Sequence, residues 1–137
     1  MELEMLVIDD DQVINFVLKN IVQRSYPKVQ MDFKLDGSSA MRYLKERDTL
    51  AAPFPGVLLL DINMPVMGGF EFLDEYHERF SSKDCYIYVV SSSISKFDQQ
   101  KANGYGCVRG YITKPLVNNN IHFIIEDFLD RQKRSIG

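Results

Sequence analysis

Five times along this chain a short apolar run is followed by a segment with apolar residues at helical spacing, and this alternation limits the fold more than any other feature. Met5-Leu6-Val7-Ile8 is the first run, stopped by three consecutive aspartates, as suits a strand buried on both faces. Ile14, Val17, Leu18, Ile21 and Val22 then repeat as one face of a helix, which Tyr26-Pro27 ends. Val29 to Phe33 alternates as a second strand, and Asp36-Gly37-Ser38 turns into a helix carrying Ala40, Met41, Tyr43 and Leu44. After a loop rich in Pro and Gly at 48–56, Val57 to Leu60 is a third strand ending at Asp61. Phe70, Leu73, Tyr76 and Phe80 mark the third helix, and Tyr86 to Val90 is a fourth strand ending at Ser91-Ser92-Ser93. A weaker helix is predicted over 96–103, a fifth strand over 109–113 running into Lys114-Pro115, and a last helix through Ile121, Ile124, Ile125, Phe128 and Leu129.

Strands that alternate with helices predict a parallel sheet with helices on both faces and right-handed crossovers. The predicted class is therefore α/β, a doubly wound (βα)5 fold. A chain of 137 residues fits one domain, expected over 1–137 with its core at about 3–130. No internal repeat, linker or low-complexity segment divides it.

Charge and cysteine usage narrow the function classes. The net charge of −3 does not suit a nucleic-acid footprint, and the basic residues Arg131, Lys133 and Arg134 read as a solvated helix end. Cys85 and Cys107 are far apart in sequence, with no zinc spacing, and read as reduced thiols. His77 and His122 are solitary. The N-terminus lacks the basic start of a signal peptide, and no apolar stretch is long enough for a membrane span, so the expected location is the cytoplasm.

The polar residues that interrupt the pattern sit at the carboxyl ends of strands: Asp9, Asp10 and Asp11 after the first, Asp61 and Asn63 after the third, Ser91 after the fourth, Lys114 after the fifth. Open parallel sheets bind ligands at that edge, where strand order reverses. With the order 2-1-3-4-5, the first and third strands are neighbours, and Asp9, Asp10 and Asp61 converge. Such carboxylates repel one another at neutral pH, and a hard cation resolves the conflict. Mg²⁺ suits a site of few carboxylates, several waters and phosphate oxygens. A carboxylate is also a competent nucleophile toward phosphorus, with Lys114 and Ser91 as the charge and the hydroxyl donor for a phosphoryl group. Read singly, each piece has a plain alternative: a helix cap at Asp9 to Asp11, a strand-end hydroxyl at Ser91, a turn at Lys114-Pro115. Their placement at successive strand ends favours a site.

These residues resemble the receiver domains of two-component response regulators, a family with the flavodoxin-like fold and five parallel strands. LVIDDDQ resembles that family's first strand and acidic pair, and LLLDINMPVMGGFEFL its phosphoacceptor segment. VVSSS resembles the Thr/Ser end of the fourth strand, and GYITKP the aromatic-x-x-Lys-Pro end of the fifth. The resemblance covers about residues 3–129. It implies that Asp61 is the phosphoacceptor and that Asp10 and Asp61 bind Mg²⁺ with the backbone carbonyl of Asn63, Asp9 acting through water. It implies that Ser91 and Lys114 hold the attached phosphoryl group, that Tyr111 turns when Ser91 moves, and that Asn63 and Ser93 flank the path of hydrolytic water. Partners implied are a sensor histidine kinase or histidine phosphotransfer protein and a downstream protein target. The face of the fourth helix, fifth strand and fifth helix is the implied signalling surface and could also carry a homodimer. Departures are mild: Gly68 stands where Asp is frequent, Ser91 where Thr is commoner, and Ser92 where Ala or Gly is usual.

A haloacid-dehalogenase-like phosphatase is the competing enzyme reading, but it wants a second Asp where Asn63 stands. An interaction module that works without phosphorylation is the third reading. Eight residues follow Leu129, so no output domain is expected in this chain.

Overall fold

The structure is a computed structural model that describes residues 3–136. Strands and helices alternate: β1 Glu4–Ile8, α1 Gln12–Ser25, β2 Gln30–Lys34, α2 Gly37–Thr49, β3 Val57–Leu60, α3 Gly69–Phe80, β4 Tyr86–Ser91, α4 Lys96–Asn103, β5 Val108–Thr113 and α5 Asn118–Ile136. The strands form one parallel sheet in the order β2-β1-β3-β4-β5. The predicted flavodoxin-like class and strand order are thus those of the molecule. Boundaries differ by a residue or so, as at β2, where the ladder starts at Gln30 rather than Val29.

Burial explains why the apolar runs read as they do. β3 and β4 are buried along their whole length and β1 along most of it, because helices cover both faces of the central strands. The edge strands β2 and β5 alternate more polar residues. One core lies between the sheet and α2, α3 and α4, around Leu6, Met41, Leu44, Leu58, Phe72 and Leu73. The other lies between the sheet and α1 and α5, around Val7, Leu18, Val22, Leu59, Ile124 and Ile125.

Helix α1 departs from the expected stripe. Leu18 and Val22 are buried, but Ile14 is 38% and Val17 50% exposed, and Asn15 is buried instead. The helix is rotated by about one position from the most apolar stripe. Val13 and Phe16, at 73% and 66%, stand in solvent beside the carboxyl edge of the sheet.

Candidate functional site

The acidic run after β1 divides its three carboxylates among different tasks. Asp11 is the N-cap of α1: one carboxylate oxygen accepts from the backbone N–H groups of Val13 and Ile14, both at 3.1 Å. Asp9 is buried, and its Oδ1 accepts from the backbone N–H of Asp11 at 2.9 Å. Asp10 lies between them and is exposed. The helix-cap reading therefore holds for Asp11 alone.

Parallel pairing carries Asp61 to the same place. Its N–H donates to the carbonyl of Ile8 at 2.9 Å, one residue past the paired strand, and the N–H of Asp9 donates to Lys34 at 3.0 Å. Carboxylate oxygens of Asp9, Asp10 and Asp61 come within 4.8 Å of one another. Three hard oxygen donors at that spacing fit a small divalent cation such as Mg²⁺. The convergence expected at the sheet's switch point is present.

Lys114 arrives from the far end of the chain. Its backbone N–H donates to the carbonyl of Ser91 at 2.8 Å, continuing the β4–β5 ladder. Its Nζ then reaches Asp9 Oδ2 at 2.7 Å and Asp61 Oδ2 at 3.4 Å. Burial is the largest influence on Asp61 and raises its carboxyl pKa; the Asn63 N–H, donating to Oδ1 at 3.1 Å, and the Lys114 charge pull it back only in part. For Lys114, burial works against the ammonium, but the hydrogen bond to Asp9 and the charges of Asp61 and Asp9 outweigh it and hold the pKa above its ordinary value.

Ser91 is fully buried at the end of β4, and its Oγ accepts from the backbone N–H of Ser93 at 3.1 Å. The hydroxyl of Tyr111 donates to the carbonyl of Ser93 at 2.8 Å. Ser93 in turn donates its hydroxyl to Asp98 of α4 at 2.7 Å. One loop residue thus links the strand-end hydroxyl, the aromatic of β5 and the start of α4. Asn63 is exposed, and its backbone N–H donates to Asp61 Oδ1 at 3.1 Å.

Sequence reasoning missed Asn15. It lies on the same stripe as Leu18 and Val22, is 7% exposed, and donates from Nδ2 to the backbone carbonyl of Asp9 at 3.0 Å. It braces the turn that presents Asp9 and Asp10. Among the described residues its Oδ1 has no hydrogen-bond partner. A polar residue three and seven positions before two buried apolar ones was the signal, since a polar group on a buried stripe needs a partner.

The molecule is an α/β domain with a parallel doubly wound sheet, and a carboxylate cluster and a lysine meet at its switch point, the edge at which open sheets of this kind bind ligands. The family model for the response regulator receiver domain matches residues 5–126, and the chain belongs to that family. It is 26% identical over 126 residues to the chemotaxis protein CheY of Halobacterium salinarum, covering 92% of this chain and 96% of that one. A crystal structure of a two component response regulator from Cytophaga hutchinsonii superposes with a TM-score of 0.84 at 28% identity, covering 95% and 98% of the two chains. The phosphorylated cyanobacterial phytochrome response regulator RcpA superposes with a TM-score of 0.77 at 26% identity, covering 93% and 94%. Other relatives are longer. The chain spans 24% of a protein-glutamate methylesterase/protein-glutamine glutaminase of Bdellovibrio bacteriovorus, to which it is 30% identical over 95 residues, and 47% of a response regulatory protein of Staphylococcus epidermidis. The family is a signalling one. Among the described residues no helix is long and apolar enough to cross a membrane.

Proposed function

We propose that Asp61 accepts a phosphoryl group, with Mg²⁺ held by the carboxylates of Asp10 and Asp61 and the backbone carbonyl of Asn63, and with Asp9 acting through a bound water. The observation that supports this best is the meeting of three carboxylates within 4.8 Å, with Lys114 Nζ 2.7 Å from one and 3.4 Å from another. When bound, Mg²⁺ neutralises charge on the transferring phosphoryl oxygens. The chain's own groups do the rest. A carboxylate oxygen of Asp61 is the nucleophile, and the backbone N–H of Asn63 orients the carboxylate through Oδ1. Lys114 pairs with the added dianion, and Ser91 turns its hydroxyl from the Ser93 N–H to a phosphoryl oxygen.

The proposed donor is a sensor histidine kinase or a histidine phosphotransfer protein, in the cytoplasm. The exposed Val13 and Phe16 beside the site suit a protein donor. The proposed target is a protein that reads the α4–β5–α5 face, where Phe97 and Phe123 are 71% and 65% exposed; a homodimer could use the same face. The net charge of −3 does not favour direct nucleic-acid contact.

Treatment with phosphoramidate and Mg²⁺, followed by intact mass and peptide mapping, tests the reading. A hydroxylamine-sensitive phosphoryl group on the Asp61 peptide is expected. Steady turnover of the donor without such a group would favour a phosphatase, and no reaction an interaction module.

Asp10→Ala should weaken Mg²⁺ binding by at least about tenfold in a metal titration. Asp11→Ala should leave it nearly unchanged and cost helix stability instead, about 1 kcal/mol for a lost cap. Equal losses of affinity would mean the acidic run is assigned in the wrong register.

Beryllofluoride should change amide hydrogen exchange across residues 96–111. If Ser91 turns toward the phosphoryl analogue it leaves the Ser93 N–H, and Ser93 holds both Tyr111 and Asp98. Changes confined to α1 would count against this route.

A further inference from the structure

Beside Asp61 the structure holds a cleft of about 460 Å³ between α1 and the connection from β5 to α5. Asp61 and Lys114 line it where it meets the phosphoacceptor site, while Val13, Val17 and Ile21 line it along α1 and Leu116 belongs to the opposite wall. From Val13 to Ile21 the helix rises about 12 Å, room for an extended aliphatic chain of medium length. Its floor is formed by strand residues, among them Leu59 and Val90, which are 3% and 6% exposed.

We propose that this cleft is a tail site for acyl phosphates with a medium-length aliphatic chain, and that such molecules phosphorylate Asp61 in preference to acetyl phosphate. The inference rests on Asp61 being the phosphoacceptor and names a substrate class for it. Charge and shape support it together. Lys114 stands at the end where the phosphate would sit, among the carboxylates of Asp9 and Asp61, and apart from Asn15 and Ser92 the other lining residues are apolar.

The chemistry balances without a further reactant. A carboxylate oxygen of Asp61 forms a bond to phosphorus. The phosphorus–oxygen bond to the acyl group breaks, and its electron pair leaves on the fatty carboxylate. No proton moves and nothing is oxidised. One mixed anhydride replaces another, so the transfer is close to thermoneutral.

The test compares acetyl, butanoyl and octanoyl phosphate as donors to the whole protein with Mg²⁺, each below its micelle concentration, with intact mass as the readout. Phosphoramidate, which has no tail, is the reference. Full burial of one methylene strengthens binding about fourfold, so KM for octanoyl phosphate should lie at least tenfold below KM for acetyl phosphate. Val17→Trp, at a position 50% exposed and outside the packed core, should block the cleft and bring that ratio toward one. Equal KM values across the series, with phosphoramidate still labelling Asp61, would overturn the tail site and leave the phosphoacceptor reading standing. A chain-length preference that survives Val17→Trp would also overturn it. No labelling by any donor, phosphoramidate included, would overturn the phosphoacceptor reading and this inference with it.

Discussion

Asp61→Asn should take no phosphoryl group from any donor and, without metal, should be more stable than the wild type at neutral pH. The amide keeps the volume and lacks the nucleophilic oxygen, so intact mass after donor treatment should show the unmodified protein alone. The gain in stability follows from where the charge sits. Asp61 is 6% exposed, beside Asp9 and Asp10, and burial raises its pKa. A carboxyl whose folded pKa exceeds its unfolded value binds more protons in the folded state. Its contribution is therefore largest below the ordinary value of 3.8 and is lost as pH rises through the raised folded pKa. At neutral pH the ionised group is a cost, offset in part by Lys114, which keeps its shorter contact to Asp9 after the substitution. A rise in Tm of about 3 °C, corresponding to roughly 1 kcal/mol in a domain of this length, is expected. Saturating Mg²⁺ should narrow the gap, because ligand binding stabilises the folded wild type by mass action. An unchanged or lower Tm for Asp61→Asn without metal would mean that the carboxylates are not in conflict.

Gly69→Ala should be strongly destabilising and should slow phosphorylation. The added Cβ would lie 2.5 Å from Ile62 Cα and 2.8 Å from the carbonyl oxygen of Asp61, both backbone atoms that cannot swing away. The limitation is space, since Gly69 sits at the start of α3 with its N–H on the carbonyl of Ile62 at 3.1 Å. Relief requires moving either α3 or the segment that carries the phosphoacceptor. Overpacking of this kind costs about 3 kcal/mol, and displacement of Asp61 should slow phosphorylation at least about tenfold, since small misplacements of reacting groups are expensive. Urea unfolding and donor kinetics on the same variant read both effects. Gly68→Asp is the contrasting substitution. The nearest atom to a Cβ there is 3.5 Å away, and the position is an N-cap without a side-chain bond. Its stability should stay within about 0.5 kcal/mol of wild type. A mild Gly69→Ala would show that the loop yields, and that Asp61 is held less firmly than its packing indicates.

Much of this was legible in the amino-acid order because the information was local. Central strands need apolar side chains on both faces, so Val57 to Leu60 and Tyr86 to Val90 announce themselves as unbroken runs. The residues that end those runs must lie at the sheet's edge, which is why Asp61, Ser91 and Lys114 could be singled out. The division of labour within Asp9, Asp10 and Asp11 was less legible. One residue of register separates a cap from a candidate metal ligand, and only the Asp11 bonds to Val13 and Ile14 fix it.

By itself, then, the sequence determined the elements, their alternation and the polar groups at their ends, since each depends on neighbours a few positions away. The meeting of Asp9, Asp10 and Asp61 was expected once the strand order was taken as 2-1-3-4-5, but the side-chain contacts of Lys114 were decided by tertiary structure alone. Lys114 lies 105 positions from Asp9 and touches it because β1, β3, β4 and β5 are laid side by side, a pairing that no local pattern encodes. It also decided the rotation of α1. Two overlapping stripes on that helix are periodic, and packing against the sheet placed Asn15, Leu18 and Val22 inside while leaving Val13, Phe16 and Val17 at the surface. Burial of the less apolar stripe is consistent with the Asn15 bond to the Asp9 carbonyl, a contact between side chain and backbone that exists only once the turn has formed.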